Sequence, residues 1–181
     1  AAGRVTGSLY LVESDGHKIL LECGLIQGSR EDESHNTEEF PFAVDDIDAV
    51  VLSHAHIDHS GRIPLLVRRG YQGPVYAQNA SVALCEIMLP DSGYLHEKDA
   101  EWNNRRRRSR GEALVEPLYT RADAERCLDQ FRGVAYEESI EVVPGLSVRF
   151  LDAGHILGSS IVELCYARNG VRKKIVFSGD I

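Results

Sequence analysis

Residues 54–59 read His54-Ala55-His56-Ile57-Asp58-His59, three imidazoles and one carboxylate within six positions. A hydrophobic core has no use for such a run, whereas a divalent cation does, because neutral imidazole nitrogens and carboxylate oxygens are common metal ligands. A loop leaving a strand can turn alternate side chains toward one point. His54 and His56 can then share one cation while Asp58 and His59 face a second. Each imidazole must be neutral to bind, and its other ring nitrogen needs a backbone or carboxylate partner. Two later residues stand at comparable places. His155 follows Leu151-Asp152-Ala153-Gly154, with Gly154 and Gly158 allowing close backbone approach around it; taken singly it suits a core histidine as well as a ligand. Asp180 follows Ile175-Val176-Phe177-Ser178-Gly179, and a carboxylate at a strand end can bridge two cations. Together these residues outline a two-cation hydrolytic centre, in which paired metals polarise the bond to be broken and activate water near neutral pH.

Such a cluster needs rigid strand ends behind it. Residues 49–53, Ala-Val-Val-Leu-Ser, form a short apolar run of the kind buried on both faces, ending where the histidines begin. Upstream, residues 8–14 alternate in strand fashion, Asp15-Gly16 supplies a two-residue turn, and residues 17–22 return as a more apolar strand, which predicts an opening hairpin. Residues 24–40 are polar and acidic without periodicity and read as a long surface loop, either functional or mobile. Residues 61–69 predict a helix with Ile63, Leu66 and Val67 on one side and Pro64 in its first turn, ended by Gly70. A strand at 74–77 leads to a helix capped by Asn79 or Ser81 that runs through Val82, Cys85, Glu86 and Leu89 until Pro90 breaks or kinks it. Ala124, Cys127, Leu128 and Phe131 give residues 121–132 the period of an amphipathic helix capped by Thr120. Strands follow: Leu146, Val148 and Phe150 alternate, and residues 161–166 and 172–177 flank Asn169-Gly170, a hairpin turn signal. No repeat, low-complexity linker or domain boundary interrupts the 181 residues, and helices placed among strands predict an α/β (α+β) layered sandwich with mixed sheets.

Bulk composition narrows the partners. No run approaches the roughly 18 apolar residues of a membrane span, and residues 1–8 lack the basic-then-apolar order of a signal peptide, so the expected setting is cytoplasmic. The four cysteines, Cys23, Cys85, Cys127 and Cys165, form no C-x-x-C pair; Cys85 and Cys165 sit in apolar runs that suggest burial as reduced thiols. A formal charge of −8 repels nucleic acid on average, so binding it would need bound metal or a local cation cluster. One cluster is visible: Arg105, Arg106, Arg107 and Arg108, followed by Arg110, beside Trp102, Asn103 and Asn104. It fits a solvated helix end or a phosphate-contacting patch equally well. His17, His35 and His96 stand in polar surroundings and are expected to face solvent.

At this point the residues resemble a known family, the metallo-β-lactamase fold and, within it, the β-CASP branch of RNA- and DNA-processing nucleases. The motif H-x-H-x-D-H stands at residues 54–59, the later motif histidine looks like His155 in Ala-Gly-His-Ile-Leu-Gly-Ser, and the bridging aspartate looks like Asp180 in Phe-Ser-Gly-Asp. Val-Thr-Gly-Ser at 5–8, Gly-Leu-Ile-Gln-Gly at 24–28, Ser-Gly-Arg-Ile-Pro at 60–64 and Gly-Pro-Val-Tyr at 73–76 resemble the bacterial members with an RNA-specificity domain. The resemblance implies an αββα sandwich in which His54, His56 and His155 hold one zinc and Asp58, His59 and the bridging Asp180 hold the other, manganese being the alternative metal. It also implies that both cations neutralise a scissile phosphate, with Asp58 and Asp180 as the catalytic carboxylates. Three departures stand out. Glu22 occupies the place where the family has Asp before Cys-Gly, so the carboxylate supporting the metal loop is expected to reach further or act more loosely. The sequence stops at Ile181, before the family's β-CASP insertion and last metal-binding histidine, and its first strand looks clipped. Residues 1–181 are therefore expected to be the N-terminal part of a metallo-β-lactamase domain, whose activity by itself is open.

The reading that follows is a zinc-dependent ribonuclease, endonucleolytic or 5′ to 3′ exonucleolytic, taking single-stranded RNA, with a homodimer allowed. A small-molecule hydrolase of the same fold, acting on a thioester or lactam, would need a compact C-terminal half. A non-catalytic metal-binding subunit would be expected to lack ligands, whereas this stretch supplies every ligand it could.

Overall fold

A computed structural model describes residues 5–168 and 170–181. Alternation along its central strands decides the layering. In β2 (His17–Leu21) and β3 (Ala49–Leu52), Ile19, Leu21, Ala49 and Val51 join one apolar cluster while Leu20, Val50 and Leu52 join another, since successive strand residues point to opposite faces. The first cluster continues into Val148, Phe150, Val162 and Leu164 of a second sheet, the other into Leu66, Cys85, Leu89 and Ala124 of the helices. The order is thus helices, sheet, sheet.

The first sheet runs β1 (Tyr10–Ser14), β2, β3, β4 (Val75–Gln78), β5 (Phe131–Val134), with β1–β2 antiparallel and the other pairs parallel. The second is an antiparallel meander of β6 (Ser139–Val143), β7 (Leu146–Asp152), β8 (Ser160–Arg168) and β9 (Val171–Phe177). This is the mixed layered sandwich the sequence predicts. The opening hairpin turns at Asp15 and Gly16, both with positive φ as the two-residue turn requires. Asn169 of the other expected turn lies outside the described residues, but its flanks pair as a hairpin should, Arg168 opposite Val171.

Several elements differ from expectation for identifiable reasons. The stretch 24–40 contains α1 (Arg30–Ser34), started by a capping box between Ser29 and Asp32, and it is tied down: buried Asn36 exchanges two hydrogen bonds with the Ile26 backbone at 2.8 and 2.7 Å. Phe40 lies under both Arg62 and Arg69, whose guanidinium carbons are 5.4 and 5.3 Å from its ring centre. The helix expected at 61–69 is found as α3 (Ile63–Arg68), with Pro64 in its first turn, and a short helix that was not expected, α2 (Ile57–Ser60), precedes it at the histidines. The helix expected to fail at Pro90 continues as α4 (Asn79–Ser109), 31 residues capped by the Gln78 side chain instead of Asn79 or Ser81. Pro90 and Leu89 are buried while Glu86, whose carbonyl loses its partner, is exposed, so water can serve that carbonyl. The expected helix 121–132 stops as α5 (Arg121–Cys127); Phe131 already opens β5, and its ring packs in the same core that a helical period would have served. Cys85 is buried as expected, whereas Cys165 is partly exposed. Among the described residues no helix is long and apolar enough to cross a membrane.

At Gly93 α4 packs tightly against the start of α5. A Cβ there would stand 2.7 Å from the Thr120 carbonyl oxygen, the residue that caps α5. Helix propensity alone favours Gly93→Ala by about 1 kcal/mol, but overpacking of this kind costs about 1–3 kcal/mol. The expected outcome is net destabilisation in chemical denaturation; a gain in stability would contradict this packing.

Candidate metal centre

Topology brings the cluster together. β2 and β3 are parallel, so Glu22 and Ser53 emerge from the same edge of the first sheet; β7 and β9, each antiparallel to β8, likewise send the segments holding His155 and Asp180 from one edge of the second. Backbone hydrogen bonds then zip the strand-end segments: Cys23 N–H to His59 O at 2.8 Å, Leu25 N–H to Ile57 O at 2.9 Å and Ser8 N–H to Asp58 O at 3.0 Å. The approach is so close that a Cβ on Gly24 would lie 1.6 Å from the Asp58 carbonyl oxygen, which leaves glycine as the residue that fits.

Glu22 holds this junction. Its backbone is left-handed, φ 65°, and its carboxylate is fully buried. One oxygen accepts the Ser53 N–H at 2.7 Å and the other accepts from His59 Nδ1 at 2.9 Å. The longer side chain therefore engages both oxygens; the looser role expected from its replacing Asp is corrected. Burial pushes the Glu22 carboxyl above its ordinary range against the pull of His59 and Ser53. Burial likewise disfavours charge on His59, but the hydrogen bond and charge of Glu22 leave that ring's pKa raised. His54, with no exposed surface, is pushed down to about 3 by burial and by neighbouring His59 and His56, so it is neutral at neutral pH.

The ring nitrogens converge. His54 Nε2 and His56 Nδ1 are 3.1 Å apart, and His155 Nε2 is 3.2 Å from the same His56 atom. Metal–nitrogen bonds of about 2.0–2.1 Å in a tetrahedron place ligand nitrogens roughly 3.3 Å apart, so the three atoms suit one cation. Asp180 spans the cluster: one carboxylate oxygen is 3.4 Å from His59 Nε2, the other 3.8 Å from His155 Nε2. Ligand atoms of His54, His56, His155 and Asp180 all lie within 4.8 Å of one another, as do those of Glu22, His54 and His59. Asp58 stands outside these groups, with one oxygen 3.7 Å from His59 Nε2. Arg105, Arg106, Arg107 and Arg108 are not brought to the cluster; they end α4, where Arg105 and Arg108 share a shallow depression with Glu101 and Asn104.

Hydroxyls that the sequence reading passed over fix the remaining loop. The buried Ser159 Oγ accepts from the His155 and Ile156 N–H groups at 3.0 and 3.1 Å, and Ser53 Oγ pairs with His54 Nδ1 at 2.9 Å. Gly158 is packed against Ser81, whose hydroxyl donates to its carbonyl at 2.8 Å, while Gly154 has open space and serves only its positive φ. No residue-type signal separates Ser159 from an ordinary turn serine. His96, expected in solvent, is half-buried against Tyr119, with ring centres 4.7 Å apart.

Comparison with known proteins gives this geometry a context. The family model described as the metallo-beta-lactamase superfamily domain matches residues 11–179. A Thermus thermophilus protein named ribonuclease TTHA0252 is 38% identical over 181 residues, covering 100% of this chain and 36% of that protein. A Cenarchaeum symbiosum protein named transcription termination factor FttA is 30% identical, covering 99% of this chain and 26% of that protein. The chain thus spans about a third or less of these relatives' lengths. Among solved structures, a subclass B3 metallo-beta-lactamase from a soil metagenome library superposes with TM-score 0.55 at 21% identity, over 95% of this chain and 56% of that one. At that identity the likeness is one of fold.

The buried Glu22–His59 pair gives a direct test. With Glu22→Gln the Ser53 N–H keeps an acceptor but His59 loses its carboxylate, and divalent-metal affinity measured against a chelating dye should fall about 10–100-fold with the fold retained. Unchanged affinity would separate Glu22 from metal binding.

Proposed function

The chain belongs to the metallo-beta-lactamase superfamily, and from that premise we propose that it forms the metal-binding part of a zinc-dependent ribonuclease that hydrolyses RNA phosphodiester bonds. His54, His56 and His155 would hold one cation and Asp58, His59 and Asp180 a second; imidazole and carboxylate ligands suit zinc, with manganese the alternative. The observation supporting this most strongly is the position of Asp180, whose two oxygens face the two halves of the ligand set separately. When bound, such a pair supplies positive charge to offset a scissile phosphate and lowers the pKa of water.

The chain's own residues do the positioning. Glu22 accepts the His59 Nδ1 proton, which leaves Nε2 directed toward Asp58 and Asp180. Ser53 engages His54 Nδ1, which turns its Nε2 toward His56. The depressed pKa of His54 keeps its nitrogen available without a proton to displace. Asp58, next to His59 in sequence and partly exposed, would orient the nucleophile. RNA as substrate is supported by the name of the relative at 38% identity; the lactamases support the fold only.

The test is cleavage of end-labelled single-stranded RNA by the full-length protein beside its Asp180→Asn variant. Losing the carboxylate that faces both halves of the ligand set should cost at least about 100-fold in rate, more than typical changes in partners of metal ligands. Ladders growing from the 5′ end would identify an exonuclease and internal fragments an endonuclease. If the folded, metal-loaded parent leaves RNA intact, the reading gives way to hydrolysis of a thioester or lactam.

A further inference from the structure

The surface of α4 carries an arrangement that the metal centre does not use. Tyr94, Lys98, Trp102 and Arg106 recur at every fourth position and form one slowly winding stripe. Lys98 Nζ lies 5.4 Å from the Tyr94 ring centre and the Arg106 guanidinium carbon 5.2 Å from that of Trp102, so a cation covers one side of each ring. Yet Tyr94 is 43% exposed and Trp102 50%. Residues 102–110 contain five arginines and no acidic residue. Attraction to the helix C-terminus accounts for cations in the last turn, but not for aromatic rings left in water about one and three turns earlier.

The arginines divide by use. Arg107 Nε donates to the Ala113 carbonyl, and Arg107 and Arg110 approach Glu112 at 3.8 and 3.9 Å, which folds the chain back after α4. Lys98 is shared with Glu101 at 2.9 Å. Arg105, Arg106 and Arg108 remain exposed, Arg106 over the Trp102 ring and Arg105 and Arg108 around a shallow depression shared with Glu101 and Asn104. The neighbouring groove between residues 25–37 and α4, about 560 Å³, has the opposite sign: Glu33, Asp91 and Asp99 line it along with Ile57 and Leu95. A polyanion is repelled there and attracted to the arginine end of the stripe, residues 102–110.

We propose that this stripe is a platform for single-stranded RNA, with bases stacking on the open sides of Tyr94 and Trp102 and phosphates meeting Arg105, Arg106 and Arg108. The two rings are eight residues apart, about 12 Å along the helix axis, so they serve different bases. The identity of the nucleic acid rests on the ribonuclease reading; the platform adds affinity that is tolerant of sequence, because every base has a stacking face.

The experiment measures binding of fluorescent single-stranded RNA to the full-length protein across a salt series, together with cleavage by the parent and melting temperature for every variant. Tyr94→Ala and Trp102→Ala should each weaken binding about tenfold, with Trp102→Phe restoring most of it. Replacing Arg105, Arg106 and Arg108 together by Gln should reduce the slope of log affinity against log salt by about 2, at roughly 0.7 per phosphate contact. Unchanged affinity in all of them while the parent cleaves RNA overturns the platform and leaves the ribonuclease standing. Unchanged affinity with lowered melting temperatures also overturns it, assigning the stripe to packing within the larger protein. Stripe-dependent binding without cleavage supports the platform and refutes the ribonuclease, and a parent that neither binds nor cleaves RNA refutes both.

Discussion

A carboxylate with no contact with water, Glu22, accepts hydrogen bonds from the Ser53 N–H and the His59 ring at the junction of β2 and β3. Removing a charged group from water costs several kcal/mol unless its oxygens are satisfied, and both oxygens here are. The left-handed backbone at Glu22 adds roughly 1–3 kcal/mol of strain, tolerated because it aims the side chain under the histidine loop instead of along the strand. Removing either partner would leave a buried acceptor or donor unmet. The interaction thus fixes two strand ends, one ring orientation and one backbone turn at once, and the zipper from Ser8, Cys23 and Leu25 to residues 57–59 is built around it.

Those local contacts work because the sheets deliver the segments to one place. Side-chain alternation in β2 and β3 commits one face to the helices and the other to the second sheet, so a one-residue slip would exchange the two apolar sets. Register in the core therefore also sets where Ser53 and Glu22 emerge. The second sheet contributes through Gly179, whose missing side chain admits Ser53 Oγ to within 2.8 Å of where a Cβ would stand, and this contact carries Asp180 against the first sheet's loop. The core packing and the cluster are consequences of the same register.

How much of this could be read from residues alone depended on whether the cause was local. Three imidazoles and a carboxylate in one loop are local, as are the Asp15-Gly16 turn and the Thr120 cap, and each is found where the sequence puts it. The engagement of both Glu22 oxygens was not legible, because it requires a positive φ that glutamate rarely adopts and a partner 37 residues away. Pro90 misleads for a related reason: its local penalty is fixed, but packing of Cys85, Leu89 and Ser92 on either side outweighs it. Phe131 satisfies both a helical period and a strand start, and only the pairing of β5 with β4 decides between them. Ile175 and Val176, apolar residues of an expected strand, are 52% and 57% exposed, since strand formation in β9 comes from pairing with β8 and not from cover on both faces.

A chain of net charge −8 pays a general repulsion toward any polyanion, so attraction must be concentrated. Concentration is what the structure displays: a histidine cluster built for cations at the strand ends, and arginines gathered after Trp102 on a helix whose middle turns bear aspartates and glutamates. Acidic surface between such places would penalise a polyanion bound away from them. The uninterrupted length of α4 belongs to the same design, since a helix broken at Pro90 would leave Trp102 and the arginines without the rigid element that carries them.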